Sequence, residues 1–391
     1  MQHRTQVLFF HTASSSYGGG SKMLFRLLKS LDRDIFNPII LSQYKDELCK
    51  RAERIGISVK IVPFQGVLDT YNRRLLSVSL IEAMQLGVRV GQFNAEIWQL
   101  LRGSDVVWCK NLRALLTLTP YALFSQTPII WNIGLGLESD GKIEYLNSLA
   151  LQLADEIFIE SLIQAKSIFT ENQFQKYENK FTVFHKGIDT KRFSPENVES
   201  EQYSTFRVGT AASLTPRKGL EHFIDAATKI NDAVSTEIEF LIAGEPSAAE
   251  DEEYVQSLQD RVKQAGLENN VQFLGWINEM PEYLESLDVF VLPSLNEGIP
   301  GVVREALAME IPVVATDVGG TPEAVLDGET GLLVPPKDSA AIANCVIQLL
   351  LDSHERRRMG KKGRQHIISE FSMQGYTEQY HEFLFTLATK D

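Results

Sequence analysis

The sequence predicts an α/β protein with two doubly wound parallel-sheet domains, and three observations predict it. Short apolar runs, such as residues 6–11 and 289–292, alternate with segments whose apolar residues recur at helical spacing. Glycine-rich or polar loops follow several of these runs, as is typical of strand–loop–helix units. A polar stretch at residues 196–205 divides the chain, and its 391 residues suffice for two or three domains.

The overall composition is that of an ordinary globular protein, with 44% apolar and 23% charged residues. The net charge of −13 argues against nucleic acid as the main partner, because neutralising phosphates requires a basic surface. Cys49, Cys109 and Cys345 are far apart and odd in number, which predicts neither a disulfide framework nor a zinc site. We therefore expect a protein of the reducing cytoplasm.

The sequence carries no strong membrane signal. No charged leader precedes the first apolar run, so we expect no signal peptide. The sequence also lacks a run of about 18 apolar residues, so we expect no helix that spans a membrane. Residues 71–103 form a predicted helical region that mixes many apolar residues with Arg73, Arg74, Arg89 and Arg102. Such a helix can lie on an anionic membrane as a peripheral contact, and an ordinary core helix with a solvated basic face is the alternative.

The stretch of residues 293–320 is the most informative part of the chain. A buried strand ends near Pro293 and a polar loop follows. Apolar residues then recur at helical spacing from Gly301, with Pro300 suited to the first helical position. Open α/β sheets bind ligands at the carboxyl ends of their strands. The loop and the helix start are therefore predicted to lie at a ligand site.

Two carboxylates mark this predicted edge, Glu297 in the loop and Glu305 eight residues later in the helix. Free N–H groups at a helix start bind anions such as a diphosphate, whereas carboxylates accept hydrogen bonds from hydroxyl groups. A ligand with both parts is a nucleotide sugar. The alternative is two surface glutamates beside a loop, and the pattern by itself does not separate these interpretations.

A pair of adjacent cations, Arg217 and Lys218, lies in a second loop of the same kind. A strand begins at residue 206, and an amphipathic helix follows Gly219. The position suits the pair to bind a diphosphate, Arg217 through its planar fork and Lys218 as a point charge. A solvated loop pair is the common alternative.

The first predicted strand is followed by a glycine-rich loop that ends in Gly18, Gly19 and Gly20. A strand, a glycine-rich turn and a helix can together open a phosphate- or sugar-binding site. The loop matches neither the Walker pattern nor G-x-G-x-x-G, so it does not indicate a P-loop or a dinucleotide site. A plain tight turn is an equally good interpretation.

These motifs together resemble the retaining glycosyltransferases of family four, the group 1 family with the E-x7-E signature. Glu297 and Glu305 match its two glutamates, Gly298 and Pro300 match its E-G-x-P sequence, and the cation pair matches its diphosphate clamp. The resemblance implies that Glu297 contacts the donor sugar and that Glu305 binds the nucleotide ribose. It makes Arg217, Lys218 and Glu297 the candidate catalytic residues. The candidates for substrate binding are Gly18, Gly19, Gly20, Gly298, Ile299, Pro300, Gly301 and Glu305.

The resemblance implies the GT-B fold, with two facing Rossmann-like doubly wound domains and a C-terminal crossover helix. The expected organisation is an acceptor-side domain at residues 1–190, a linker at 191–205, a nucleotide-sugar-binding domain at 206–370 and a final helix at 371–391 that packs back on the first domain. The resemblance is strong in the second half of the chain. It is weak in residues 45–125, where acceptors are chosen.

The family's activity implies transfer of a sugar from a nucleoside diphosphate sugar, such as UDP-glucose, to a hydroxyl group of a saccharide or a lipid-linked saccharide. Polysaccharide, glycolipid or glycan synthesis is the expected setting. Retention at the anomeric carbon is implied, with the acceptor hydroxyl passing its proton to the leaving phosphate oxygen. No metal or other cofactor is expected, because Arg217, Lys218 and the helix start at Gly301 supply positive charge. The D-x-D pattern of Asp32 and Asp34 is predicted to be a solvated turn.

The chain also departs from the family pattern. Glu310 stands where the family usually has a glycine, which predicts a more costly left-handed helix cap. No histidine follows the strand at residues 129–133, where the family has one that supports the donor sugar, and Asn132 and Glu138 are the candidates for that space. His11 and His185 end other strands and are interpreted as structural.

Two alternatives therefore remain open beside the transferase. One is a nucleotide-sugar epimerase or hydrolase of the same fold. The other is a non-catalytic nucleotide-sugar-binding protein, which the missing histidine leaves open.

Overall fold

The computed structural model describes residues 4–12, 19–64, 80–133, 141–195, 205–246, 248 and 251–389. The chain divides into two compact units, one comprising Met1–Lys186 with Tyr376–Asp391 and the other comprising Gly187–Gly375. Each unit has a parallel sheet and a hydrophobic core of its own.

The first unit is built on a seven-stranded sheet. Its strands are β1 (Thr5–His11), β2 (Phe36–Ser42), β3 (Ser58–Ile61), β4 (Val106–Cys109), β5 (Ile129–Asn132), β6 (Glu156–Ile159) and β7 (Phe181–Val183). They lie in the order β3-β2-β1-β4-β5-β6-β7, and all neighbouring strands are parallel. All residues of β4 are buried, as expected for a strand of a parallel sheet that is covered on both faces.

Helices connect the strands of the first unit. They are α1 (Gly19–Ser30), α2 (Glu47–Arg54), α3 (Leu80–Arg102), α4 (Leu112–Thr117), α5 (Thr119–Ala122), α6 (Gly141–Leu153), α7 (Leu162–Ile168) and α8 (Glu171–Lys176). Helix α3 is the described part of the helical region predicted at residues 71–103, since 71–79 lie outside the described residues. Within the described ranges, no helix is long and apolar enough to cross a bilayer.

The second unit is built on a six-stranded parallel sheet in the order β10-β9-β8-β11-β12-β13. Its strands are β8 (Phe206–Ala211), β9 (Ile238–Ala243), β10 (Val271–Gly275), β11 (Val289–Leu292), β12 (Val313–Thr316) and β13 (Gly331–Val334). Its helices are α9 (Leu220–Ala233), α10 (Glu252–Gln264), α11 (Met280–Glu285), α12 (Gly301–Ala308), α13 (Thr321–Ala324), α14 (Ser339–Leu351) and α15 (Ser353–Glu370). Most of residues 196–205, the polar part of the predicted linker, lie outside the described residues.

Both sheets are doubly wound, which confirms the predicted fold class. In the first sheet the strand order reverses between β1 and β4, and in the second it reverses between β8 and β11. Loops that leave the carboxyl ends of two strands at such a reversal diverge and open a crevice, which is where ligands bind in this class of fold. The reversals therefore mark one place in each unit at which a site is expected.

The last helix, α16 (Met373–Ala388), completes the core of the first unit. The ring of Tyr380 lies 5.3 Å from that of Phe158 and 4.6 Å from that of Phe184. Its hydroxyl accepts a hydrogen bond of 3.4 Å from Trp108 Nε1. These contacts explain why Tyr380 is almost fully buried although it lies near the end of the sequence.

Candidate functional site

The loops that leave β8 and β11 touch each other at the reversal of the second sheet. The N–H of Leu295 donates a hydrogen bond of 2.9 Å to the carbonyl of Arg217. Gly219 has a left-handed φ of 60°, and a Cβ at this position would lie 2.4 Å from the carbonyl oxygen of Pro293. Because only glycine avoids both the strain and the clash, Gly219 allows the two loops to approach.

The close approach brings the predicted cations and the first predicted glutamate together. Lys218 Nζ lies 2.6 Å from Glu297 Oε1, and Arg217 Nη1 lies 3.7 Å from Glu297 Oε2. The side chains of Lys218 and Glu297 are only 14% and 8% exposed, whereas that of Arg217 is 53% exposed. Arg217 also donates a hydrogen bond of 2.7 Å to the carbonyl of Asn296. The cluster thus combines a shielded ion pair with a guanidinium that reaches solvent.

Two buried hydroxyl groups hold the Glu297 loop. Ser294 Oγ donates to Glu297 Oε1 over 2.6 Å, and Thr316 Oγ1, at the end of β12, donates to the carbonyl of Ser294 over 2.5 Å. Sequence reasoning missed both residues. A signal for them was present in the sequence. Ser294 lies just after one strand and Thr316 at the end of another, and both strands end at the edge of the sheet where the site was predicted.

The Gly319–Gly320 turn packs against the backbone of the same loop. The N–H of Gly320 donates to the carbonyl of Gly298 over 2.9 Å. A Cβ at Gly319 would lie 1.8 Å from the carbonyl oxygen of Glu297, and Gly319 has a left-handed φ of 53°. The two glycines therefore hold the loop in place through close backbone contacts with Glu297 and Gly298.

Helix α12 begins immediately beyond this loop, with Pro300 as its N-cap and Gly301 as its first residue. The sequence suited Pro300 to the first helical position, whereas in the structure Pro300 lies one residue before that position. No side chain caps this helix start, so its first N–H groups lack a side-chain acceptor within the helix end. Ile299 is buried and Gly298 is exposed. Glu305 follows one turn later in α12 and is half-buried.

The far end of α12 has the costly cap that the sequence predicted. Glu310 has a left-handed φ of 62°. A Cβ at Gly360 of α15 would lie 1.9 Å from the carbonyl oxygen of Glu310, so the two backbones pack closely. This contact accounts for a strained residue being held in place by tertiary structure.

A second polar cluster lies at the reversal of the first sheet. His11 ends β1, Asp46 follows β2, and Lys110 follows β4. His11 Nε2 lies 2.7 Å from Asp46 Oδ2, and His11 Nδ1 lies 3.0 Å from Lys110 Nζ. Lys110 Nζ also donates to Ser21 Oγ over 3.1 Å. His11 is thus buried and hydrogen-bonded, and its ring links Asp46 to Lys110 in a row of hydrogen-bonded side chains.

The pKa values of this cluster follow from its burial and its contacts. Burial lowers the pKa of Lys110 to about 8, opposed by the charge of Asp46. Burial also lowers the pKa of His11. The pKa of Asp46 is lowered to about 2, because hydrogen bonds from His11 and from the Cys49 N–H outweigh the effect of its burial. At neutral pH, His11 is therefore an uncharged bridge between a carboxylate and an ammonium group.

Lys110 lines a cavity of about 70 Å³ in the first unit, together with the predicted residues Gly20 and Asn132. The ion pair of Glu160 and Lys186 lies at the same cavity. The remaining lining residues are apolar or aromatic, and they are Met23, Leu24, Leu27, Trp108, Ile159, Phe184, Tyr376 and Tyr380. Gly19 is the first residue of α1, and Gly18 and Glu138 lie outside the described residues.

Sequence reasoning missed Asp46 and Lys110. Asp46 is the N-cap of α2, where its Oδ1 accepts the N–H of Cys49 over 3.0 Å. Each residue follows a predicted strand, and its position as a polar residue beyond a strand end was the signal that could have identified it. The D-x-D pattern is an exposed turn in which Asp32 accepts the N–H of Asp34, as predicted. In the described ranges, no group of three or more His, Cys, Asp or Glu residues could hold a metal ion.

Comparison with known proteins gives both sequence and structural relatives. Residues 194–366 match the family described as Glycosyl transferases group 1. The capsular polysaccharide biosynthesis glycosyltransferase CapM of Staphylococcus aureus is 28% identical over 378 residues, covering 84% of this chain and 96% of CapM. An alpha-maltose-1-phosphate synthase of Mycolicibacterium smegmatis is 33% identical over 218 residues, covering 50% of this chain and 54% of that protein. The latter match therefore spans about half of each protein.

Solved structures match along nearly the whole chain. HepE of Anabaena, in complex with UDP, has a TM-score of 0.75 at 21% identity and covers 98% of this chain and 100% of its own. A glycosyltransferase from Rickettsia africae has a TM-score of 0.78 at 16% identity and covers 99% and 100%. At these identities the likeness shows the fold, which is GT-B. The chain is thus similar to glycosyl transferases of group 1 over residues 194–366, and it shares the GT-B fold along nearly its whole length.

Proposed function

We propose that this protein is a glycosyltransferase that takes its sugar from a nucleoside diphosphate sugar bound at the reversal of the second sheet. The observation that carries the proposal is the meeting of Arg217, Lys218 and Glu297 at the carboxyl ends of β8 and β11, beside the start of α12. Two cations and an uncapped helix start suit two phosphate groups. The adjacent carboxylate suits the hydroxyl groups of a sugar.

Each residue of this cluster has a separate proposed role. Arg217, the exposed cation, binds the diphosphate through its fork, and Lys218 adds a fixed positive charge. Glu297 fixes Lys218 and accepts a hydrogen bond from the donor sugar, since a carboxylate has more acceptor sites than its present partners use. Glu305 accepts hydrogen bonds from the ribose. Gly298, Ile299, Pro300 and Gly301 form the wall of this donor site.

The proposed chemistry is electrostatic. As the bond between the anomeric carbon and the phosphate oxygen breaks, negative charge grows on the leaving diphosphate, and Arg217, Lys218 and the helix start stabilise it. These groups supply the charge that a metal ion supplies elsewhere, so we expect transfer to continue in EDTA. We expect retention at the anomeric carbon, which proton NMR of the product reads directly.

The donor base is proposed as uracil. HepE, whose fold this chain shares, was crystallised with UDP and with UDP-glucose. One mycobacterial relative is named as a GDP-mannose-dependent mannosyltransferase, so guanine is the competing base. A thermal-shift series with UDP-, GDP- and ADP-sugars decides between them, because the nucleotide that binds the folded state raises its melting temperature.

The acceptor is proposed to be a hydroxyl group of a saccharide or a lipid-linked saccharide, bound by the first unit at the cavity beside Gly20 and Asn132. Two relatives are named as glycosyltransferases of capsular polysaccharide and colanic acid biosynthesis, which supports a saccharide. Polysaccharide or glycolipid synthesis in the cytoplasm, with peripheral membrane contact, is the setting that we propose.

The decisive experiment follows labelled sugar from UDP-glucose, with and without a panel of p-nitrophenyl glycosides. Transfer to a glycoside supports the proposal. Free glucose or an epimer as the sole product overturns it in favour of a hydrolase or an epimerase. Binding without any reaction indicates a non-catalytic protein. In the same assay, Arg217→Ala should lower kcat by 10²-fold or more, about the loss seen when one group that stabilises a transition state is removed. Glu305→Ala should weaken nucleotide binding in calorimetry.

A further inference from the structure

The chain from Asp46 through His11 to Lys110 has one consistent arrangement of protons. The Asp46 carboxylate can only accept, so His11 Nε2 must donate to it across 2.7 Å. His11 Nδ1 is then an acceptor, and Lys110 Nζ donates to it across 3.0 Å. The carboxylate therefore determines which nitrogen of His11 faces Lys110, although Asp46 does not touch Lys110.

The contacts of Lys110 leave it able to bind a ligand. An ammonium group has three N–H donors. Among the described residues, His11 Nδ1 and Ser21 Oγ receive two of them. Lys110 also lines the cavity that contains Gly20 and Asn132. The third donor is thus available to a group that enters this cavity.

The lining of the cavity indicates what that group is. An ammonium, an amide and an ion-paired carboxylate stand beside aromatic side chains, among them Trp108 and Tyr376. This mixture suits a sugar, whose hydroxyl groups need donors and acceptors and whose C–H face packs on aromatic rings. At about 70 Å³ the cavity is far smaller than the roughly 300 Å³ at which pockets for whole ligands begin, so it fits one hydroxyl-bearing end of a saccharide.

We propose that Lys110 contacts the acceptor by donating a hydrogen bond to one of its hydroxyl oxygens, and that His11 and Asp46 are positioning residues that hold Lys110 in this role. The inference rests on the proposed transfer to a hydroxyl acceptor and assigns residues to it.

The charged and titratable groups that act on Lys110 are known. Burial is the main cause of its lowered pKa, Asp46 and the Cys49 thiol oppose it, and Arg113 adds to it. Loss of the Asp46 charge therefore lowers the pKa of Lys110 further. An alkaline limit of acceptor use that depends on Lys110 must then move to lower pH.

Asp46→Asn is the sharpest test, because it reverses the proton arrangement. The asparagine oxygen can keep the cap contact with the Cys49 N–H, while its NH₂ group replaces Oδ2 and donates to His11 Nε2. His11 must then carry its proton on Nδ1, which faces the Lys110 donor. We expect the KM for the best p-nitrophenyl glycoside to rise at least tenfold, with the KM for UDP-sugar unchanged, and the alkaline limb of the pH profile to shift below the wild-type one.

Asp338→Asn is the matched control. Asp338 caps α14 of the second unit through its side chain, as Asp46 caps α2, but within the described part of the chain its hydrogen bonds come from the N–H groups of Ala340 and Ala341 and not from a histidine. Its variant should keep both KM values and the pH profile. A purely structural role of Asp46 predicts lower stability in Asp46→Asn without a selective effect on the glycoside, and that result overturns the inference.

Lys110→Met and Lys110→Arg complete the test. Loss of glycoside use in the first variant, partly restored in the second, supports the contact, whereas wild-type KM values in Lys110→Met overturn it. Nucleotide binding by calorimetry separates this inference from the proposed function. If the wild-type protein binds the nucleotide sugar but transfers to no glycoside, the acceptor inference fails and the donor site stands. If it binds no nucleotide sugar, the proposed function itself fails.

Discussion

Lys218 Nζ and Glu297 Oε1 lie 2.6 Å apart, although 79 residues separate them in the sequence. The pair joins the loops that leave two neighbouring strands of the second sheet. It is shielded from solvent, and Ser294 shares the same carboxylate oxygen. A shielded pair of this kind leaves an uncompensated charge behind when one partner is removed.

Glu297→Gln should therefore reduce both stability and activity. We expect the free energy of unfolding to fall by about 1–3 kcal/mol in urea titration, since Lys218 loses its counterion. Transfer should fall at least tenfold. Glu329→Gln is the control, because its partner Lys362 lies 3.2 Å away and their side chains are 61% and 46% exposed. That variant should stay within about 0.5 kcal/mol of the wild type. Equal losses in the two variants would contradict a shielded pair.

Gly319→Ala tests the support behind the Glu297 loop. The new Cβ would lie 1.8 Å from the carbonyl oxygen of Glu297, so the loop must move. Gly266→Ala separates this clash from backbone strain, because Gly266 has a φ of 66° and open space around it. We expect a loss of about 1 kcal/mol at Gly266 and of more than about 3 kcal/mol at Gly319. Calorimetry should also show that nucleotide binding is lost only in Gly319→Ala. Similar losses of stability in the two variants would disprove the close contact of Gly319 with the Glu297 carbonyl.

Glu310→Gly should stabilise the second unit. Glycine adopts a φ near 62° without the strain that Glu310 bears, and this gain exceeds the added flexibility of the unfolded chain. We expect an increase of about 0.5–1 kcal/mol in the free energy of unfolding. Gln259→Gly, at an exposed position inside α10, should instead lose about 1 kcal/mol. A loss at both positions would show that Glu310 is unstrained.

Lys110→Met should change how stability depends on pH. The pKa of Lys110 is about 8 in the folded protein and 10.5 ordinarily, so the folded state loses this proton first as pH rises. The cost of the buried charge is complete below pH 8 and disappears towards pH 10.5. Between pH 7 and pH 10, wild type should therefore gain about 1–2 kcal/mol relative to Lys110→Met. Lys29→Met, at an exposed lysine of α1, should keep a constant difference from wild type, and parallel curves for both variants would refute the shift.

The fold and the strand ends that carry Arg217, Lys218 and Glu297 could be predicted, because the pattern of each strand, loop and helix is local in sequence. Glu297 and the cation pair each stand a few residues beyond an apolar strand, and parallel strands place their carboxyl ends on one edge. Their distance from each other could not be predicted, because it depends on which loops meet. The same holds for the hydrogen-bonded residues of the first unit. His11, Asp46 and Lys110 come together only because β1 lies between β2 and β4 in the sheet, an order that no strand reveals by itself.

The placement of α16 has a consequence for the synthesis of the chain. Tyr376 and Tyr380 pack on Phe184 and Phe158, yet all of the second unit is translated between these partners. The second unit is continuous in sequence and can fold as it leaves the ribosome. The first unit begins earlier but keeps an aromatic surface uncovered until residue 380 has emerged. A chain truncated just before Tyr376 and released from the ribosome should consequently hold a folded second unit and a first unit whose aromatic surface is uncovered.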